Sequence, residues 1–124
     1  MLGSIPAGRW AIFTSGSQEL ARKRLAAAGI PAPEVLITGQ DVAWGKPHPE
    51  GYIAAAQGLG VPAGDCAVVE DAAPGIRAAR AAGVRSVLGV GAPDAQEIRP
   101  DAVVPDLRSV RWIPAGLEIH RQDR

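Results

Sequence analysis

One cysteine among 124 residues leaves no internal disulfide to form. Cys66 heads an apolar run, so it reads as a small core residue rather than a reactive thiol. Aromatic residues make up only 4% of the chain while apolar residues make up 47%, so the core must come from Ala, Val, Leu and Ile. Thirteen basic and thirteen acidic residues cancel, which removes the electrostatic footing for a nucleic-acid partner or an anionic membrane surface. No apolar stretch is long enough for a membrane span, and the first residues lack the basic start and apolar centre of a signal peptide. A cytoplasmic, soluble protein without a membrane partner is therefore expected. With no repeat, low-complexity tract or linker, residues 1–124 read as a single domain with a real core.

What is present is organised around Cys66–Arg80, CAVVEDAAPGIRAAR. Cys66 to Val69 read as a buried strand, and Pro74 and Gly75 open an Ala-rich helix, the proline suiting a first turn. A run bounded this way fits a central parallel strand covered on both faces. Glu70 and Asp71 sit between strand and helix, where open α/β sheets bind ligands. Side by side they repel unless one is protonated or a cation lies between them, and a hard ion such as Mg2+ takes oxygen ligands of this kind. The same pair would also serve simply to cap the helix and complement its dipole.

The rest of the chain alternates in the same way. Trp10–Thr14 is a strand, Ser15–Ser17 a turn, and Gln18–Ala28 a helix with Leu20, Ala21, Leu25 and Ala28 on one face. Glu34–Thr38 is a second strand, followed by a loop carrying Gly45-Lys46-Pro47-His48-Pro49. A helix over Glu50–Leu59 stops at Gly60, and the helix after Asp71 ends at Gly83. Arg85–Val90 and Ala102–Val104 are further strands, and no element is resolved beyond Pro105. Strands alternating with helices of about ten residues predict βαβ units and an α/β, Rossmann-like, three-layer sandwich with a mostly parallel sheet.

Three polar groups fall at strand ends or in the loops after them. Thr14, Ser15 and Gly16 offer hydroxyls and backbone N–H groups at a helix start, a ready anion cradle, although Ser17 would equally serve as a plain helix cap. Lys46, in a loop stiffened by two prolines, can neutralise a phosphoryl oxygen, though a loop lysine is more often just solvated. Glu70 and Asp71 are the third group. An anion cradle, a cation and a metal-binding acid pair are parts of a phosphoryl-transfer site. A nucleophile is missing, because Ser15 has no histidine near it in sequence and His48 and His120 lie elsewhere.

The order strand-Thr-Ser-Gly-Ser, then Gly-Lys-Pro-x-Pro-x-x-Tyr, then Val-Val-Glu-Asp-x-x-x-Gly-Ile-x-Ala-Ala resembles the haloacid dehalogenase-like hydrolases. The likeness runs from about Ile5 to Val110 and is greatest to the small sugar- and polyol-phosphate phosphatases of that superfamily. It implies a Rossmann-like core in which Thr14, Ser15 and the Gly16 amide bind the phosphoryl group. It also implies that Lys46 steadies the nucleophile and the phosphate as a catalytic residue, and that Glu70 and Asp71 hold Mg2+. The implied partner is a small phosphorylated metabolite.

The family's first motif, Asp-x-Asp-Gly-Thr, supplies the nucleophilic and the acid/base aspartates, and it has no counterpart in the sequence. Nor has the helical cap that selects the substrate, and Met1–Pro6 resembles the end of the connection returning from it. The chain therefore reads as the carboxy-terminal part of such a phosphatase, inactive by itself. A non-catalytic phosphate- or protein-binding module is the alternative. A receiver-like signalling domain is a weaker one, since receivers place the acid pair first and Lys-Pro last. In the resembled fold the absent strand is central, flanked by Trp10–Thr14 and Cys66–Val69. The expectation is that these two close the gap by pairing directly, or leave edges that promote self-association.

Overall fold

The computed structural model describes residues 5–6, 8–91, 99–105, 110–113 and 116–119. Strand β1 (Ala11–Phe13) leads through a tight turn into helix α1 (Gln18–Ala27), and β2 (Val35–Ile37) runs parallel to β1. Helix α2 (Glu50–Leu59) and a 3₁₀ turn (Ala63–Asp65) precede β3 (Ala67–Glu70), helix α3 (Ala73–Ala82), β4 (Ser86–Val90) and β5 (Ala102–Val104). These last three strands form a second parallel sheet in the order β3-β4-β5. The α/β class with parallel sheets is as the sequence predicts.

Helix boundaries follow local chemistry. Ser17 caps α1, its Oγ accepting from the Leu20 amide at 3.1 Å. Gly60 and Gly83 end α2 and α3 in the left-handed conformation, at φ 74° and 77°. Of the face expected on α1, only Ala21 is buried, while Leu20 is 40% exposed. Beyond Pro105, β6 (Val110–Ile113) and β7 (Gly116–Ile119) pair antiparallel, a hairpin whose four-residue strands are too short to register as a period.

The core lies around β4. Its neighbours in sequence, Val87 and Leu88, point to opposite faces, as a pleated strand requires. Val87 joins Val68, Ile76 and Ala79, with Tyr52 and Val84 packed against them. Leu88 joins Val104, with Val69, Val90 and Ala102 alongside. Ile76, Ala78 and Ala79 are fully buried, which is why α3 is rich in small residues at the sheet. The carboxylate of Asp101 accepts from the Val87 amide at 2.7 Å and from Arg80 at 3.1 Å, fastening the entry to β5.

Two expectations are corrected. The strand covered on both faces is β4, not β3. Cys66 is half-buried just ahead of β3, and within β3 Ala67 is exposed while Val68 is buried. The second correction concerns closure. β1 is paired only with β2, and β3 only with β4, so the two parallel sheets do not join among the described residues. Helix α2 bridges them instead, packing on β1, β2 and α3. Its Gly51 makes this close approach feasible, because a Cβ there would overlap the Phe13 ring.

Candidate active site

The carboxyl end of β3 places the Glu70 carboxylate inward, with the residue only 8% exposed. A buried carboxylate needs donors, and it has three. Lys46 Nζ reaches Oε2 at 2.9 Å, the Tyr52 hydroxyl donates to the same oxygen, and the Asp71 amide donates to Oε1 at 3.1 Å. Burial alone would raise the Glu70 pKa, but the hydrogen bonds from Tyr52 and Lys46 and the lysine charge outweigh it and hold it below its ordinary value. Burial, together with the hydrogen bond to Glu70, pushes the Tyr52 phenol upward, so it stays a donor.

Two rings complete the setting. Phe13, the last residue of β1, meets Tyr52 edge to face at 5.2 Å and 86°. Lys46 Nζ lies 5.0 Å from the Phe13 ring centre and 5.6 Å from that of Tyr52. The lysine is thus held by a carboxylate and two aromatic faces, the opposite of a solvated loop residue. Its loop is fixed from α2, because the Glu50 carboxylate accepts from the Ala43 and Trp44 amides, each at 3.0 Å. Those two bonds lower the Glu50 pKa.

The turn after β1 follows directly on Phe13. The Thr14 amide bonds to the Ile37 carbonyl at 2.9 Å, and Thr14 Oγ1 accepts from the Gly16 amide at 3.2 Å. Ser15 is exposed, while Gly16 is half-buried and its carbonyl accepts from the Gly39 amide at 3.0 Å. Asp71 is exposed and does not cap α3, whose N-cap is Ala72. The structure therefore joins Lys46 directly to Glu70, with Asp71 beside them. Thr14, Ser15 and Gly16 belong to a turn linked to that pair through Phe13.

Sequence reasoning gave Phe13, Tyr52, Glu50 and Gly75 no part in the site. Tyr52 and Gly75 stand within the quoted motifs, and their spacing was the available signal. Gly75 is explained by space, since a Cβ there would overlap the Glu70 carboxylate. Gly75→Ala is expected to push Glu70 off Lys46 and cost about 1–3 kcal/mol, the usual range for overpacking. Urea unfolding checks this, and an unchanged midpoint would contradict it.

Comparison with known proteins gives the family. A family model described as a haloacid dehalogenase-like hydrolase matches residues 6–83. The chain belongs to that family. Hexitol phosphatase A of Escherichia coli K12 is 50% identical to this haloacid dehalogenase-like chain over 84 residues, covering 68% of it and 38% of that protein. Glycerol-1-phosphate phosphohydrolase 2 of Saccharomyces cerevisiae is 40% identical over 96 residues, covering 72% of the chain and 38% of that protein. CbbY from Rhodobacter sphaeroides, in a structure with phosphate, superposes with a TM-score of 0.69 at 28% identity. That match covers 79% of this chain and 46% of CbbY. The chain thus spans less than half the length of each of these three relatives.

Proposed function

We propose that this chain carries the carboxy-terminal share of a magnesium-dependent phosphatase site for small phosphorylated metabolites such as sugar or polyol phosphates. The observation that carries the reading is the Lys46–Glu70 pair at 2.9 Å, which brings the loop after β2 to the end of β3. In this reading Thr14, Ser15 and the Gly16 amide receive the phosphoryl group and Lys46 neutralises its charge. The family's nucleophilic aspartate has no counterpart in the sequence, so this chain by itself is expected not to turn over a phosphate ester. A cytoplasmic setting accords with that chemistry.

The donor set fits Mg2+ in kind. Two carboxylates stand together, Asp71 exposed and Glu70 fixed by three donors. Among the described residues no group of three or more His, Cys, Asp or Glu could enclose a metal, so the pair fills only part of an octahedral oxygen shell. Asp71 and Glu70 would hold the ion, which when bound would offset charge on the phosphoryl oxygens.

Calorimetry on the purified chain tests this. Mg2+ is expected to bind weakly and to lose its binding in Asp71→Asn. Inorganic phosphate is expected to weaken in Ser15→Ala. Both residues are exposed, so neither change threatens the fold. Magnesium-dependent turnover of an aryl phosphate is expected to be nil. Tight Mg2+ binding that ignores Asp71→Asn would overturn the metal assignment. Phosphate binding without any metal effect would favour a non-catalytic phosphate-binding module.

A further inference from the structure

The Lys46 loop carries a feature that phosphate chemistry does not use. Trp44 is 66% exposed, a large apolar surface left in water two residues before Lys46. Surface indoles usually swing among rotamers, but this one springs from a fixed backbone. Its amide is held by Glu50 at 3.0 Å, and its ring stacks on His48 at 6.2 Å and 27°. His48 is fixed in turn, since its Nδ1 accepts from the Glu50 amide at 3.1 Å and its own amide bonds to the Gly45 carbonyl at 2.9 Å. Trp44, Lys46 and His48 thus stand on one rigid loop that starts at the end of β2 and reaches the end of β3.

We propose that Trp44, backed by His48, is a specificity-determining platform for the carbon skeleton of a ring-form sugar phosphate. This rests on the phosphate-site reading above and adds to it a selectivity element within the core itself. A flat indole buries apolar surface best against a rigid partner with a face of its own. A pyranose presents such a C–H face beside its phosphate. A linear polyol phosphate has no fixed face and must be ordered first, which costs rotamer entropy. Inorganic phosphate has no carbon skeleton and is indifferent to the platform. Preorganisation of the loop matters because a mobile Trp44 would have to be immobilised on binding.

The test is an NMR titration of the purified chain with inorganic phosphate, glycerol 3-phosphate and glucose 6-phosphate. Wild type, Trp44→Ala and Trp44→Phe are compared. Wild type is expected to prefer glucose 6-phosphate to inorganic phosphate by about tenfold, the factor set by burying one modest apolar face. Trp44→Ala should abolish that preference while inorganic phosphate affinity stays put, and Trp44→Phe should restore part of it. Equal weakening of all three ligands would show that Trp44 only shapes the loop and would overturn the proposal. So would a preference that survives Trp44→Ala. Failure of wild type to bind any of the three would overturn the phosphate-site reading and this proposal with it.

Discussion

Lys46→Met is expected to destabilise the chain by about 3–5 kcal/mol at neutral pH, the cost of stranding one member of a buried ion pair. Methionine keeps the length and apolar stem of lysine, so the packing on Phe13 and Tyr52 largely survives and the loss is electrostatic. Glu70 would keep Tyr52 and the Asp71 amide as donors but lose its only counter-charge among these partners. The pH dependence fixes the interpretation. In the native chain Glu70 is held below its ordinary value of 4.5, so its stabilising contribution is present above that pH. It is lost as pH falls through the lowered folded value. Removing the lysine lets burial push the folded value upward, which penalises the ionised form. The gap between wild type and Lys46→Met should therefore be widest near pH 7 and should shrink below pH 4.5. Urea unfolding at both ends of that range measures it. Adding Glu70→Gln to Lys46→Met should recover much of the loss, because an uncharged amide needs no counter-charge. A constant gap across pH would mean that the lysine acts by packing alone.

That pair marks how far the sequence could be read. The elements themselves were legible because their signals are local. Gly60 and Gly83 end their helices, Pro74 opens one, and β5 and α2 fall where periodicity and turn residues place them. Lys46 was legible as a loop lysine and Glu70 as a carboxylate at a strand end, though 24 positions separate them and nothing in the sequence states that they touch. The aromatic support was not legible. Phe13 reads as an ordinary strand residue and Tyr52 as an ordinary helix residue until the fold stacks one on the other. Gly75 looks like a helix-start residue, and only the buried carboxylate beside it explains why no side chain fits. The misjudged burial of β3 has a related cause. An apolar run of this kind predicts a central strand, but among the described residues β3 pairs only with β4, and its Ala67 is exposed.

That open side leads to the largest effect expected of this chain. Among the described residues β1 and β3 each have one edge without a strand partner, in separate sheets bridged by α2 and the Lys46–Glu70 pair. At the carboxyl end of β1 the Phe13 ring packs on Gly51 and against Tyr52 of α2. A strand inserted between them would gain roughly five ladder bonds, each worth about 0.5–1.5 kcal/mol net. It would also bury several apolar side chains at about 1.5–3 kcal/mol each. That sum is comparable to the roughly 5–15 kcal/mol that stabilises a whole domain. The isolated chain is therefore expected to be weakly stable and to self-associate through these edges as concentration rises. Hydrogen exchange should find the β1 and β3 amides poorly protected at low concentration, while β4, buried on both faces, is protected best. Supplying a parallel strand that ends in Asp-x-Asp-Gly-Thr, by fusion ahead of Met1, should protect both edges and yield a cooperative monomer. Strong protection of β1 and β3 in a monomer of the chain alone would show that the divided sheet is sound without that strand.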